Sequence, residues 1–163
     1  MQNGELPPSL NPKVFWLLIG TNDLGVSWCS PEATLLGILR VVEEIRQQRP
    51  GAIVVINGLL PRSFDKKAGF LYHSNNKHKK LPPLWNAIKE VNAKLKAYSS
   101  NKKGVVFVDS TDLFLLDPSV PEKNLQIDKN LMYDFLHPSY IGYRVWGDSI
   151  IEKLDELIHG TEM

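Results

Sequence analysis

The chain has 163 residues, 43% of them hydrophobic and 23% charged, enough for one compact domain with a sizeable core and too apolar for a disordered chain. Nineteen basic residues against eighteen acidic leave no global field that would favour nucleic acid or a membrane surface. The longest apolar run, Val14 to Ile19, is far too short to cross a bilayer.

After Pro7, Pro8 and Pro12, the unalternated run Val14–Ile19 reads as a strand buried on both faces, ended by Gly20. Ser30-Pro31-Glu32 is a helix start, with a hydroxyl cap, a proline in the first turn and an acid near the positive end. Leu35, Ile38, Val42 and Ile45 follow on one helical face, and Arg49-Pro50-Gly51 stops it. Residues 52–56 are a second buried strand, closed by Leu59-Leu60-Pro61. From Arg62 to Pro83 no period is visible, and Lys66, Lys67, Lys77, Lys79 and Lys80 make the stretch basic; a loop this long is functional or a mobile insertion. Trp85, Ile88, Val91, Leu95 and Tyr98 restore helical spacing, residues 105–108 form a third strand with Asp109 at its edge, and Tyr143, Trp146, Ile150, Leu154 and Leu157 mark a last helix. Strand alternating with helix is the grammar of a single α/β domain over residues 1–163, with a parallel sheet and right-handed crossovers.

Ligands in such a sheet sit beyond the carboxyl ends of the strands. Gly20-Thr21-Asn22-Asp23, Pro61-Arg62, Asp109 and Asp134-Phe135-Leu136-His137-Pro138-Ser139 lie there. Asp134 and His137 are three residues apart, so one turn of chain brings the carboxylate against imidazole Nδ1 and leaves Nε2 free as a base. Taken alone, an accidental pair beside a helix N-terminus is the weightier reading of that spacing. Asn22 supplies a second signal: an amide donor at the end of the turn after a buried strand suits an oxyanion hole, although turn asparagines are common. Asp23 is assigned to holding the loop.

These blocks resemble those of the SGNH (GDSL-type) hydrolases: Gly20-Thr21-Asn22-Asp23 is similar to the third block, and Asp134 to Ser139, followed by Gly142-Tyr143, to the fifth. The helix with Asn86 and Asn92 is similar to the family's intervening sequence, and Asn3-Gly4-Glu5-Leu6 and Gly58-Leu59-Leu60-Pro61-Arg62 resemble the platelet-activating-factor acetylhydrolase-like branch. The resemblance implies a three-layer αβα, flavodoxin-like fold and hydrolysis of short-chain carboxylic esters through serine acylation. It makes His137 the general base, Asp134 its orienting acid and Asn22 the oxyanion donor, with no metal or organic cofactor and a small-molecule ester as partner. One departure stands out. The family's Gly-Asp-Ser block, on its first strand, and a second, glycine-bearing block lie upstream of Asn-Gly-Glu-Leu, so the chain is expected to be truncated at its N-terminus and inactive alone. The strand at 14–19 would then be left without its neighbour, and dimerisation or poor solubility through that edge is expected. A non-catalytic remnant that binds a partner is the alternative. An unrelated nucleotide binder is disfavoured because no Gly-rich phosphate loop follows a strand.

Gly147-Asp148-Ser149 spells the nucleophile motif but sits inside the last helix, where Ser149 cannot open a helix from a strand tip. Thr21 and Ser139 have ordinary turn or capping roles. Arg62, at the crevice edge, is a candidate substrate-binding residue, with an ion pair to a neighbouring acid the weightier reading. Trp28 is a candidate lining of the acyl pocket, while Trp16, Trp85 and Trp146 fit core faces. His73 and His78 lack acids or cysteines at ligand spacing and read as a solvated loop. The lone Cys29 permits no internal disulfide and reads as a small core residue. It is compatible with a reducing, cytoplasmic compartment, and residues 1–8 show no signal peptide.

Overall fold

The computed structural model describes residues 4, 6–72 and 84–160. Three parallel strands, β1 (Val14–Leu17), β2 (Ile53–Asn57) and β3 (Val105–Val108), form a sheet in the order β1-β2-β3. The register sets Phe15 beside Val54 and Ile56 beside Phe107. Among the described residues four α-helices connect and follow them: α1 (Thr21–Gly25), α2 (Pro31–Gln48), α3 (Leu84–Ser100) and α4 (Tyr140–His159).

Local chemistry explains the long helices. The Ser30 hydroxyl accepts the Ala33 N–H at 3.2 Å and caps α2, whose Ile38, Val42 and Ile45 are buried. On α3 the buried face is Trp85, Ile88, Val91 and Leu95. These residues meet Val54 and Ile56 of β2 in one core that Phe114 and Met132 also join. Asn57, next along β2, points to the other face, where its Oδ1 accepts Trp146 Nε1–H of α4 at 3.2 Å and the Ser110 hydroxyl at 3.0 Å. The sheet therefore lies between α2 and α3 on one side and α4 on the other, the α/β layering the sequence pattern implies.

Two expectations need correction. β1 is half-buried at every position rather than buried on both faces, and it ends at Leu17, leaving Ile19 38% exposed. The reason is its place: among the described residues it pairs with β2 alone, so its other side is a free edge. The stretch after it, read as a simple turn, begins a short helix, α1. Gly20 makes that entry possible. It holds φ +109°, and a Cβ there would lie 2.9 Å from Ile38 Cδ1 and 3.1 Å from Thr34 Cγ2, so the chain crosses close over α2 in a backbone form that L side chains avoid.

Candidate active site

Asp134 and His137 meet as their spacing requires. The imidazole Nδ1 lies 2.7 Å from Asp134 Oδ2, while Oδ1 accepts the backbone N–H of Leu136 at 3.0 Å and of His137 at 2.8 Å. Burial by itself would raise the Asp134 pKa, but these N–H donors and the imidazole outweigh it and hold the carboxyl at about 2. Folded stability from this carboxylate is thus complete above its unfolded value near 4 and is lost as pH falls through about 2. The turn runs through Phe135, a buried non-glycine residue at φ +60°, a conformation that costs about 1 kcal/mol or more. Tertiary contacts hold it there: Phe135 donates its N–H to the Met132 carbonyl at 3.0 Å and accepts the Ser63 N–H at 3.0 Å.

Asn22 sits in the first turn of α1 with its side chain exposed, and its carbonyl accepts the N–H of Val26 at 2.8 Å and of Ser27 at 3.0 Å. The segment leaving β2 ties this turn to the Asp–His turn. Arg62 Nη1 donates to the Thr21 carbonyl at 3.0 Å, next door to Asn22. Ser63, the following residue, holds Phe135, and Lys66 Nζ donates to the Asp134 carbonyl at 3.2 Å. The segment is itself anchored by α3: Asn92 Oδ1 accepts Leu59 N–H at 2.7 Å and its Nδ2 donates to Leu59 O at 3.0 Å. Sequence reading picked out Arg62 and Asn92 but passed over Ser63, Phe135 as a strained residue, and Asn57. A lone polar residue closing an apolar strand was the one available signal for Asn57.

Arg62 is only 8% exposed. Burial lowers its pKa, and the Asp134 charge pulls it back up. Its guanidinium lies over the Phe64 ring at 5.8 Å, and Phe64 in turn stacks on Trp28 at 5.9 Å. Trp28 is 53% exposed, with φ +55°, so it offers an open aromatic face beside this stack. Cys29 is half-buried. Ser139 caps α4 by accepting Gly142 N–H at 3.1 Å, and its hydroxyl donates to Asn130 O. Ser149 donates its hydroxyl to the Trp146 carbonyl at 2.7 Å within α4 and lines a cleft with Phe107, Val108 and Glu152. Among the described residues, no serine or threonine hydroxyl hydrogen-bonds the His137 imidazole. His73 and His78, with Lys77, Lys79 and Lys80, lie outside the described residues, as do Asn3 and Glu5 of the N-terminal block. Among the described residues there is no cluster of three histidine, cysteine or acidic side chains fit to hold a metal ion, and no helix long and apolar enough to cross a membrane.

The model of the GDSL-like Lipase/Acylhydrolase family matches residues 1–145. Platelet-activating factor acetylhydrolase IB subunit alpha1 of Homo sapiens is 30% identical over 143 residues, 88% of this chain and 51% of that protein. Subunit alpha2 of Gallus gallus is 30% identical over 158 residues, 97% of this chain and 56% of that one. This chain spans about half the length of these curated relatives. Among solved structures, a GDSL-like lipase from Bacteroides thetaiotaomicron superposes with a TM-score of 0.68 at 19% identity, covering 90% of this chain and 64% of that one.

Proposed function

The chain belongs to the GDSL-like lipase/acylhydrolase family, and from that premise we propose that it carries the base, the orienting acid and the oxyanion donor of a serine esterase acting on acetyl or other short acyl esters. In this reading His137 Nε2 takes the proton of a serine hydroxyl as it attacks the ester carbonyl. Asp134 holds the tautomer and stabilises the imidazolium, and the Asn22 amide donates to the oxyanion. The protonated imidazole then gives its proton to the leaving alkoxide. Water, activated by the same nitrogen, hydrolyses the acyl-enzyme to release the acid. Trp28 lines the acyl side of the crevice.

The observation that carries this reading is the pair of neighbours Arg62 and Ser63, which hold the turn before Asn22 and the turn between Asp134 and His137 respectively. Both turns are thus tied to one segment, which supports a shared site between them. The names of the relatives support the substrate class: acetylhydrolases among the sequences, and an acetyl esterase mutant with acetate ion among the solved structures.

The nucleophile in this proposal is the serine of a Gly-Asp-Ser block, which in the resembled family stands on a strand ahead of the Asn-Gly-Glu-Leu stretch; among the described residues no serine or threonine hydroxyl bonds the imidazole. The test is hydrolysis of p-nitrophenyl acetate by the 163-residue chain and by the same reading frame extended upstream through a Gly-Asp-Ser block. The expected result is background turnover for the first and enzymatic turnover for the second. Turnover by the 163-residue chain that depends on His137 overturns the external nucleophile, and an inert extended protein favours the non-catalytic, partner-binding alternative.

The free edge of β1 carries a related proposal. With Phe15, Trp16 and Leu17 half-buried and one side of the strand unpaired among the described residues, the 163-residue chain associates with a second copy through this edge. Light scattering after size exclusion is expected to show a concentration-dependent dimer or larger species. A monodisperse monomer at 100 μM, on the order of concentrations where such edges associate, overturns it.

A further inference from the structure

We infer that Arg62 is a positioning residue for Asn22: its guanidinium pins the turn that presents the oxyanion amide, and it does not bind substrate. The inference rests on the esterase reading above. α1 is five residues long, too short to hold its shape without tertiary contacts, and its N-cap, Gly20, offers no side-chain hydrogen bond. What holds it is a charged donor taken out of water. Arg62 Nη1 reaches the Thr21 carbonyl at 3.0 Å from a side chain 8% exposed, where a charge-assisted bond is strong and its loss leaves a carbonyl and a cavity.

The space for this grip is built into α1 itself. A Cβ at Gly25 would lie 2.2 Å from Arg62 Nη1 and 2.3 Å from Cζ, so only glycine lets the guanidinium lie against the helix. The guanidinium also lies over the Phe64 ring, 5.8 Å from its centroid. A guanidinium engaged by a carbonyl, a ring and a glycine has little surface left for a ligand. Burial lowers the Arg62 pKa, and the Asp134 charge acts against that shift.

The test is a double-mutant cycle in the esterase-active extended protein, with Asn22→Ala and Arg62→Met. Asn22→Ala is expected to lower kcat about 10²- to 10³-fold. Arg62→Met is expected to lower kcat by roughly tenfold or more with KM within about twofold, and to add under about twofold once Asn22 is alanine. Arg62→Lys recovers part of the loss. Equal losses in both backgrounds, or a rise in KM alone, overturn the positioning role and leave the esterase reading standing. No loss from Asn22→Ala sinks the oxyanion assignment, and this inference with it. On the 163-residue chain, Arg62→Met is expected to speed amide exchange at Val26 and Ser27 by at least about tenfold while the amides of Val54 and Ile56 stay protected. An increase spread evenly over the chain overturns a local grip, and Arg62→Lys serves the same measurement where the methionine variant does not fold.

Discussion

His137→Ala is expected to lower ester turnover by about 10⁵-fold or more in the extended protein, because nucleophile and base in such triads act as one unit. The same substitution should leave the melting temperature nearly unchanged. The imidazole is 64% exposed, so its removal opens no cavity, and surface changes of this kind stay within about 0.5 kcal/mol. Asp134 loses the ring but keeps both backbone N–H donors, from Leu136 and from residue 137 itself, which any residue at 137 supplies. A chromogenic acetyl-ester assay paired with thermal melting separates the two effects. Unchanged turnover in the variant removes His137 from the mechanism, and a large drop in melting temperature would mean that the histidine is a structural pin.

Gly142→Ala is expected to produce the largest stability loss of any single methyl added to the described glycines of the active-site rim. A Cβ there would sit 2.2 Å from the Leu131 carbonyl oxygen and 3.1 Å from its carbon, and neither is the end of a flexible side chain. Both backbones are committed: Leu131 O accepts Ser139 N–H at 2.7 Å, and Gly142 N–H donates to the Ser139 hydroxyl that caps α4. Relief requires the first turn of α4 to pull away from the 131 turn. We expect a cost of about 3 kcal/mol, or roughly 10 °C in melting temperature for a domain of this size. The Asp134–His137 turn lies between those two anchors, so turnover should fall along with stability. Gly147→Ala is the control. Nothing lies within 4 Å of a Cβ there, and alanine in a helix interior is better than glycine by up to about 1 kcal/mol. Differential scanning calorimetry of the two variants checks the pair, and a Gly142→Ala protein that melts with the parent refutes the close approach.

The parts of the site readable from sequence are those whose partners lie within one turn of chain. The Asp134–His137 contact, the Ser30 cap and the buried stripe of α2 follow from spacings of three and four residues, which backbone geometry turns directly into contacts. Asn92 was named only through the family resemblance, and its partner Leu59 was not visible, because that contact joins residues 33 apart. Arg62 illustrates the limit. Its position after a buried strand marked it as a rim residue, yet its grip on Thr21 depends on the approach of α1, a helix too short to announce itself in a hydrophobic pattern.

Determined by the sequence alone were the order of the three strands and the three long helices, the α/β class, and the Asp134–His137 contact. Each of these depends on side-chain periodicity or on neighbours a few bonds apart. Tertiary structure decided that Phe135 is held in a left-handed turn, that Trp28 faces outward, and that Arg62 lies buried against Gly25. These depend on which distant segments come to share a volume. That outcome is set by packing and desolvation over the whole domain, and no local run of residues carries it.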